Sequence, residues 1–247
     1  MKHEINLNGN LNTNMIDEIT DKQINKNLNI FISRHKEGNN KFSTIYFKDI
    51  TDETNYKILK NKLKQELKKY IFKSNTYLVI GIGNINSNMD SLGPKTIEHI
   101  LVTKHLLKYG LSNKYKIVSK FAPSVEFNTG IDTYKLIKNI IKEEKSEQII
   151  IIDSLITNNL ENITKCIQIS NTGINLENNI HLYKKSLNYK NLKTPIILIG
   201  IPTILETSEK NIIITTKDID TFIKKASLLI GSAINELIHK EDNVTPW

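Results

Sequence analysis

Ile149-Ile150-Ile151-Ile152-Asp153 decides the fold. Four consecutive β-branched apolar residues leave no polar face, so the segment reads as a strand buried on both sides, the pattern of a parallel sheet covered by helices. It ends abruptly in a carboxylate. Upstream, Tyr77-Leu78-Val79-Ile80-Gly81 is a second continuous apolar run. Weaker strand patterns fall over residues 115–121, 166–170, 196–201 and 212–215. Helical periods lie between them. One begins at Pro94, since proline suits a first helical turn, with Ile97, Ile100 and Leu101 on its stripe. A second starts at Ile131 and aligns Tyr134, Ile137 and Ile141. The last has the clearest 3.6 period: Ile219, Phe222, Ile223, Ala226, Leu229, Ile230, Ala233 and Leu237. Strands alternating with helices predict an α/β fold, a mainly parallel sheet with helices on both faces.

Residues 55–73 form a further predicted helix, with Tyr56, Leu59, Leu63, Leu67, Tyr70 and Ile71 near one face and lysines on a solvated outer face. Residues 1–40 are polar and asparagine-rich, and read as a loosely attached segment. The expectation is one domain over 1–247 with its core at about 50–240, without linker or repeat. A chain of 247 residues buries enough surface to need no disulfide or metal staple. Its one cysteine, Cys166, allows no internal disulfide and no thiolate metal cluster. Lys+Arg 34 against Asp+Glu 26 gives +8, which excludes an acidic tail and permits an anionic partner, but the charge is spread thinly. No apolar run approaches the ~20 residues that span a bilayer, and no signal-peptide pattern opens the chain. A cytoplasmic protein that engages no membrane is expected.

In a parallel α/β sheet, ligands bind beyond the carboxyl ends of the strands. Two aspartates fall there: Asp90, in the loop that follows Gly81-Ile82-Gly83-Asn84, and Asp153, at the end of the polyisoleucine strand. They are 153 − 90 = 63 residues apart, about two βα units, so both can face one crevice. Two carboxylates at one site divide roles, one ionised to activate water, the other protonated to donate. The competing reading makes Asp90 a helix cap and Asp153 a loop anchor. Gly81-x-Gly83 lacks the third glycine of a dinucleotide fingerprint, because position 86 is Asn. The six histidines are scattered, which argues against a zinc site.

Gly81-Ile82-Gly83-Asn84, Asp90-Ser91-Leu92-Gly93-Pro94-Lys95, Ala122-Pro123-Ser124-Val125 with Thr129-Gly130-Ile131, Ile152-Asp153-Ser154-Leu155, Asn171-Thr172-Gly173-Ile174 and Gly200-Ile201-Pro202-Thr203 follow one another in order. Together they resemble the germination (spore) protease family of endospore-forming bacteria, from about residue 76 to 240. The resemblance implies an atypical aspartic endopeptidase that degrades small acid-soluble spore proteins in the spore core at germination. It also implies a zymogen trimmed at its N-terminus, a homotetramer, a fold similar to hydrogenase maturation endopeptidases and no cofactor. The family's essential aspartates fall on Asp90 and Asp153; Gly83, Asn84 and Lys95 are the candidates for holding substrate. Departures from the family pattern are the absent N-terminal entry segment, Ile156-Thr157-Asn158-Asn159 in place of small residues and an arginine, the stretch 175–179, and Glu206 where aspartate is common. Two alternatives stand beside this reading. One is a metal-assisted peptidase whose aspartates hold Mg, Ca or Mn. The other is an inactive relative that binds spore proteins or, less favoured, nucleic acid.

Overall fold

A computed structural model describes residues 30–109, 115–176, 185–207 and 213–239. The chain runs through β1 (Phe31–Glu37), β2 (Asn40–Tyr46), α1 (Glu53–Leu67), β3 (Thr76–Gly81), α2 (Leu92–Glu98), β4 (Ile117–Phe121), α3 (Glu126–Thr129) and α4 (Thr133–Glu144). It continues with β5 (Gln148–Thr157), β6 (Cys166–Ser170), β7 (Ile174–Leu176), β8 (Lys185–Leu187), α5 (Tyr189–Leu192), β9 (Ile196–Glu206), β10 (Ile213–Ile214) and α6 (Ile219–His239). The main sheet has the order β1-β2-β6-β9-β5-β3-β4, with β10 on the end of β9; β7 and β8 form a separate hairpin.

The apolar runs form the expected parallel core. β4, β3, β5 and β9 pair in parallel: α2 and α4 carry the chain back between β3, β4 and β5, while β6, the β7–β8 hairpin and α5 lie between β5 and β9. The remaining pairs, β6 on β9, β2 on β6, β1 on β2 and β10 on β9, are antiparallel, so the sheet is mixed around that parallel centre. Strand alternation divides the core in two. Ile150 and Ile152 pack with α1, α2 and α6, whereas Ile149 and Ile151 pack with α4 and the β7–β8 hairpin. Helices thus cover both faces. On α1, Leu59, Leu63 and Leu67 are fully buried, each contributing about 1.5–3 kcal/mol. On α6, a side chain at Gly231 would stand 2.6 Å from His99 Cβ, so that glycine sets how closely α6 approaches the end of α2.

Two expectations change. The core does not begin near residue 50: β1 and β2 form a hairpin that extends the sheet through β6. Its pattern was hard to read because β1 is an edge strand with only Ile32 buried among polar neighbours. The rest of the expected N-terminal segment, residues 1–29, lies outside the described residues. Nor are all the α1 lysines merely solvated. Lys60 and Lys64 each reach 2.6 Å to a different oxygen of Glu236 on α6. Lys69 and Arg34 meet on buried Glu66, the arginine through both Nε (3.0 Å) and Nη2 (2.6 Å). These bonds fasten the hairpin and α6 to α1.

Candidate active site

Asp90 lies in the turn that follows β3, and Asp153 sits one residue past the last β3–β5 pair, Gly81 with Ile152. Asp153 does not end its strand as expected: pairing with β9 carries β5 on to Thr157. Both aspartates are buried, 9% and 4% exposed. Asp90 belongs to a single 3-10 turn, Asn88–Asp90, and Ser91 occupies the position before α2, so Asp90 is not the α2 cap. Asp153 continues β5 opposite Gly200 of β9; its Oδ1 accepts the Ser154 N–H at 2.8 Å, which orients the carboxylate. Having no side chain at Gly200 leaves room that Leu155 fills, since a Cβ there would meet the Leu155 methyls.

Two cross-links tie the flanks of the aspartates together. The Ile82 N–H donates to the carbonyl of Ile152 at 2.8 Å, and the Leu92 N–H reaches Ser154 Oγ at 3.4 Å. One bond lies just before each aspartate's segment and the other just after. Gly93 completes the junction: a Cβ there would stand 2.6 Å from the Ile152 carbonyl oxygen, so α2 starts this close to the strands only with glycine.

Of the substrate-binding candidates, Gly83 sits against Asp90. Its φ is +134°, and a side chain there would overlap the Asp90 carbonyl and stand 2.9 Å from Oδ1. The Asn84 N–H donates to the same carbonyl at 3.0 Å, while Asn84 Oδ1 accepts from the Asn86 N–H at 3.0 Å and from Asn128 Nδ2 at 2.7 Å. Gly83 and Asn84 therefore build the turn that carries Asp90. Lys95 is half-buried on α2 and makes no ion pair among the described residues.

Three contributors escaped the sequence. Ser154 supplies the hydroxyl at the head of α2. Asn128 tethers the loop of Asn84 to α3. Thr203 comes from a β-bulge, where β5–β9 register slips between Leu155 and Ile156. Bulges next to functional sites re-aim side chains. Here the Thr203 hydroxyl donates to the Met89 carbonyl at 2.6 Å, one residue before Asp90, and the Thr203 carbonyl accepts from Thr215 Oγ1 at 2.7 Å. Collinear motifs flagged Gly200 to Thr203, but only the bulge gives Thr203 this task. Among the described residues, no group of three His, Cys, Asp or Glu side chains gathers in a way that would hold a metal. No helix there is long and apolar enough to cross a membrane. Two surface recesses of about 470 and 310 Å³, one beside the start of α6 and one below the start of β5, include neither aspartate.

The chain matches the family profile described as germination protease over residues 2–209. It is 35% identical over 198 residues to the germination protease of Clostridium tetani (strain Massachusetts / E88), a match covering 79% of this chain and 59% of that protein. It is 40% identical over 139 residues to that of Bacillus subtilis (strain 168), covering 55% and 38%. The chain thus spans about half the length of these relatives. Among solved structures it is similar to a [NiFe] hydrogenase maturation protease, HycI from Thermococcus kodakarensis KOD1, at 15% identity and a TM-score of 0.44, covering 70% of this chain and 98% of that one.

Proposed function

Because this chain belongs to the germination protease family, we propose that it is an endopeptidase that cuts small acid-soluble spore proteins during germination, with Asp90 and Asp153 activating the attacking water. The observation that carries this reading is that two buried carboxylates, Asp153 just past the β3–β5 ladder and Asp90 in the turn after β3, have their flanks cross-linked. One carboxylate takes a proton from water as its oxygen attacks the scissile carbonyl. The other, protonated, donates to the carbonyl oxygen and later helps protonate the leaving amine. The rest of the site serves position. Gly83, Asn84 and Thr203 fix the turn of Asp90, and Ser154 fixes Asp153 against α2. Lys95 stands on α2 five residues beyond Asp90, where its ammonium suits a passing substrate carboxylate or carbonyl.

The test is incubation of the purified protein with a small acid-soluble spore protein, followed by mass analysis. Discrete internal fragments, lost in both Asp90→Asn and Asp153→Asn, are the expected result. Intact substrate with the unmodified chain, or undiminished cleavage by either variant, overturns the reading.

A further inference from the structure

Helix α3 presents Phe127 with 96% of its surface exposed. Ile85 and Ile131, near it in the fold's connectivity, are 42% and 53% exposed. The relation to the candidate site is direct. Asn128, the neighbour of Phe127, bonds to Asn84, the neighbour of Ile85, and the Asn84 N–H holds the carbonyl of Asp90. Two hydrogen bonds therefore separate the exposed phenylalanine's turn from the aspartate turn. Left-handed residues flank the helix, Ser124 at φ 64° before its extended N-cap Val125 and Gly130 at φ 68° as its C-cap, and Phe127 points outward from this short turn.

We propose that Phe127, together with Ile85 in the tethered loop and Ile131 just after the helix, is a docking site for an apolar side chain of the substrate polypeptide next to the aspartates. This rests on the peptidase reading given above. An extended chain advances about 3.3 Å per residue, so a few residues on one side of a scissile bond held at Asp90 and Asp153 reach this turn. Phe127 then gives the substrate an apolar anchor, while the tether through Asn128 and Asn84 keeps that anchor in register with the carboxylates. A second copy of the chain fits the surface less well. The three side chains offer on the order of 400 Å², against about 800 Å² per partner in a standard stable interface. The other residues of the turn, Glu126, Asn128 and Thr129, are polar.

The experiment separates docking from chemistry. Binding of a purified small acid-soluble spore protein to the Asp153→Asn chain is measured by calorimetry, with and without Phe127→Ala and Phe127→Leu. Sedimentation is recorded for each variant. The alanine variant is expected to bind about tenfold more weakly at unchanged oligomeric state, with leucine restoring most of the affinity. Affinity indifferent to residue 127, absence of binding by the Asp153→Asn chain, or a change confined to sedimentation overturns the proposal. Cleavage by the unmodified chain together with binding indifferent to Phe127 keeps the peptidase and removes this site. Binding that depends on Phe127, without cleavage by the unmodified chain, does the reverse.

Discussion

Replacing Gly83 with alanine asks whether the Asp90 turn must stay where it is. At φ +134° Gly83 occupies backbone space that residues with a Cβ rarely adopt, which by itself costs about 1–3 kcal/mol. The added methyl would overlap the Asp90 carbonyl and stand 2.9 Å from Oδ1. To regain ordinary contact the turn has to retreat by roughly 1 Å. That retreat stretches the 3.0 Å bond from the Asn84 N–H to the Asp90 carbonyl, a further loss of about 1 kcal/mol. The sum is a destabilisation of about 2–4 kcal/mol. A shift of this size at a reacting carboxylate lowers turnover by about 100-fold. Urea unfolding measures the first effect. Steady-state cleavage of a small acid-soluble spore protein, well below the melting temperature, measures the second. The expected signature is a fall in kcat at nearly constant KM, because Gly83 is buried against Asp90. Unchanged kcat with raised KM would refute the spacer role and return Gly83 to substrate contact. Lost stability with full kcat in the folded protein would refute the catalytic placement of Asp90.

Other substitutions probe the same architecture. Asp90→Asn and Asp153→Asn should each lower kcat by about 10³-fold or more, with the double variant little worse, since paired groups act as a unit; additive losses in single-turnover assays would contradict a shared site. Thr203→Val removes the hydroxyl on the Met89 carbonyl and is expected to cost about 1–3 kcal/mol and several-fold in kcat, with Thr203→Ser close to the parent; a fully active valine variant counts against the bulge as a positioning device. Glu236→Gln should lower stability in urea by about 1–2 kcal/mol, less than a fully buried pair because Lys60 and Lys64 remain partly exposed. Burial pushes the Glu236 carboxyl up, but the bonds and charges of the two lysines outweigh it and hold the group below its ordinary value. With the folded value depressed, this stabilisation is complete above the ordinary glutamate value of 4.5 and disappears as pH falls through the folded value. The Gln variant should therefore lose part of the parent's acid sensitivity in that window, and matching pH profiles would show that the clamp contributes nothing.

The sequence by itself determined the parallel centre of the sheet and the addresses of the two aspartates. Ile149 to Ile152 and Tyr77 to Ile80 are apolar at every position, and only a strand covered on both faces buries them all. Once those strands are parallel neighbours, a carboxylate just past their shared ladder and a carboxylate in the loop after β3 fall toward the same edge. The apolar stripe of α6 was equally legible in its first half, where Ile219, Phe222, Ile223 and Ala226 are buried with the helical period; beyond Leu229 the helix is buried nearly all round. Tertiary structure alone decided the rest. The β1–β2 hairpin offers mostly exposed or half-buried residues, and its membership in the sheet depends on β6, more than a hundred residues away. The lysines of α1 look alike along the chain until α6 brings Glu236 between two of them. Thr203 closes a motif but shows no task until a one-residue slip between β5 and β9 turns its hydroxyl toward Met89, and Asn128 has no local sign that it will hold Asn84. Periodicity records how often a residue is buried, and so it fixes elements and faces. It carries no information about which distant side chain fills the space opposite, and that pairing sets the position of both carboxylates.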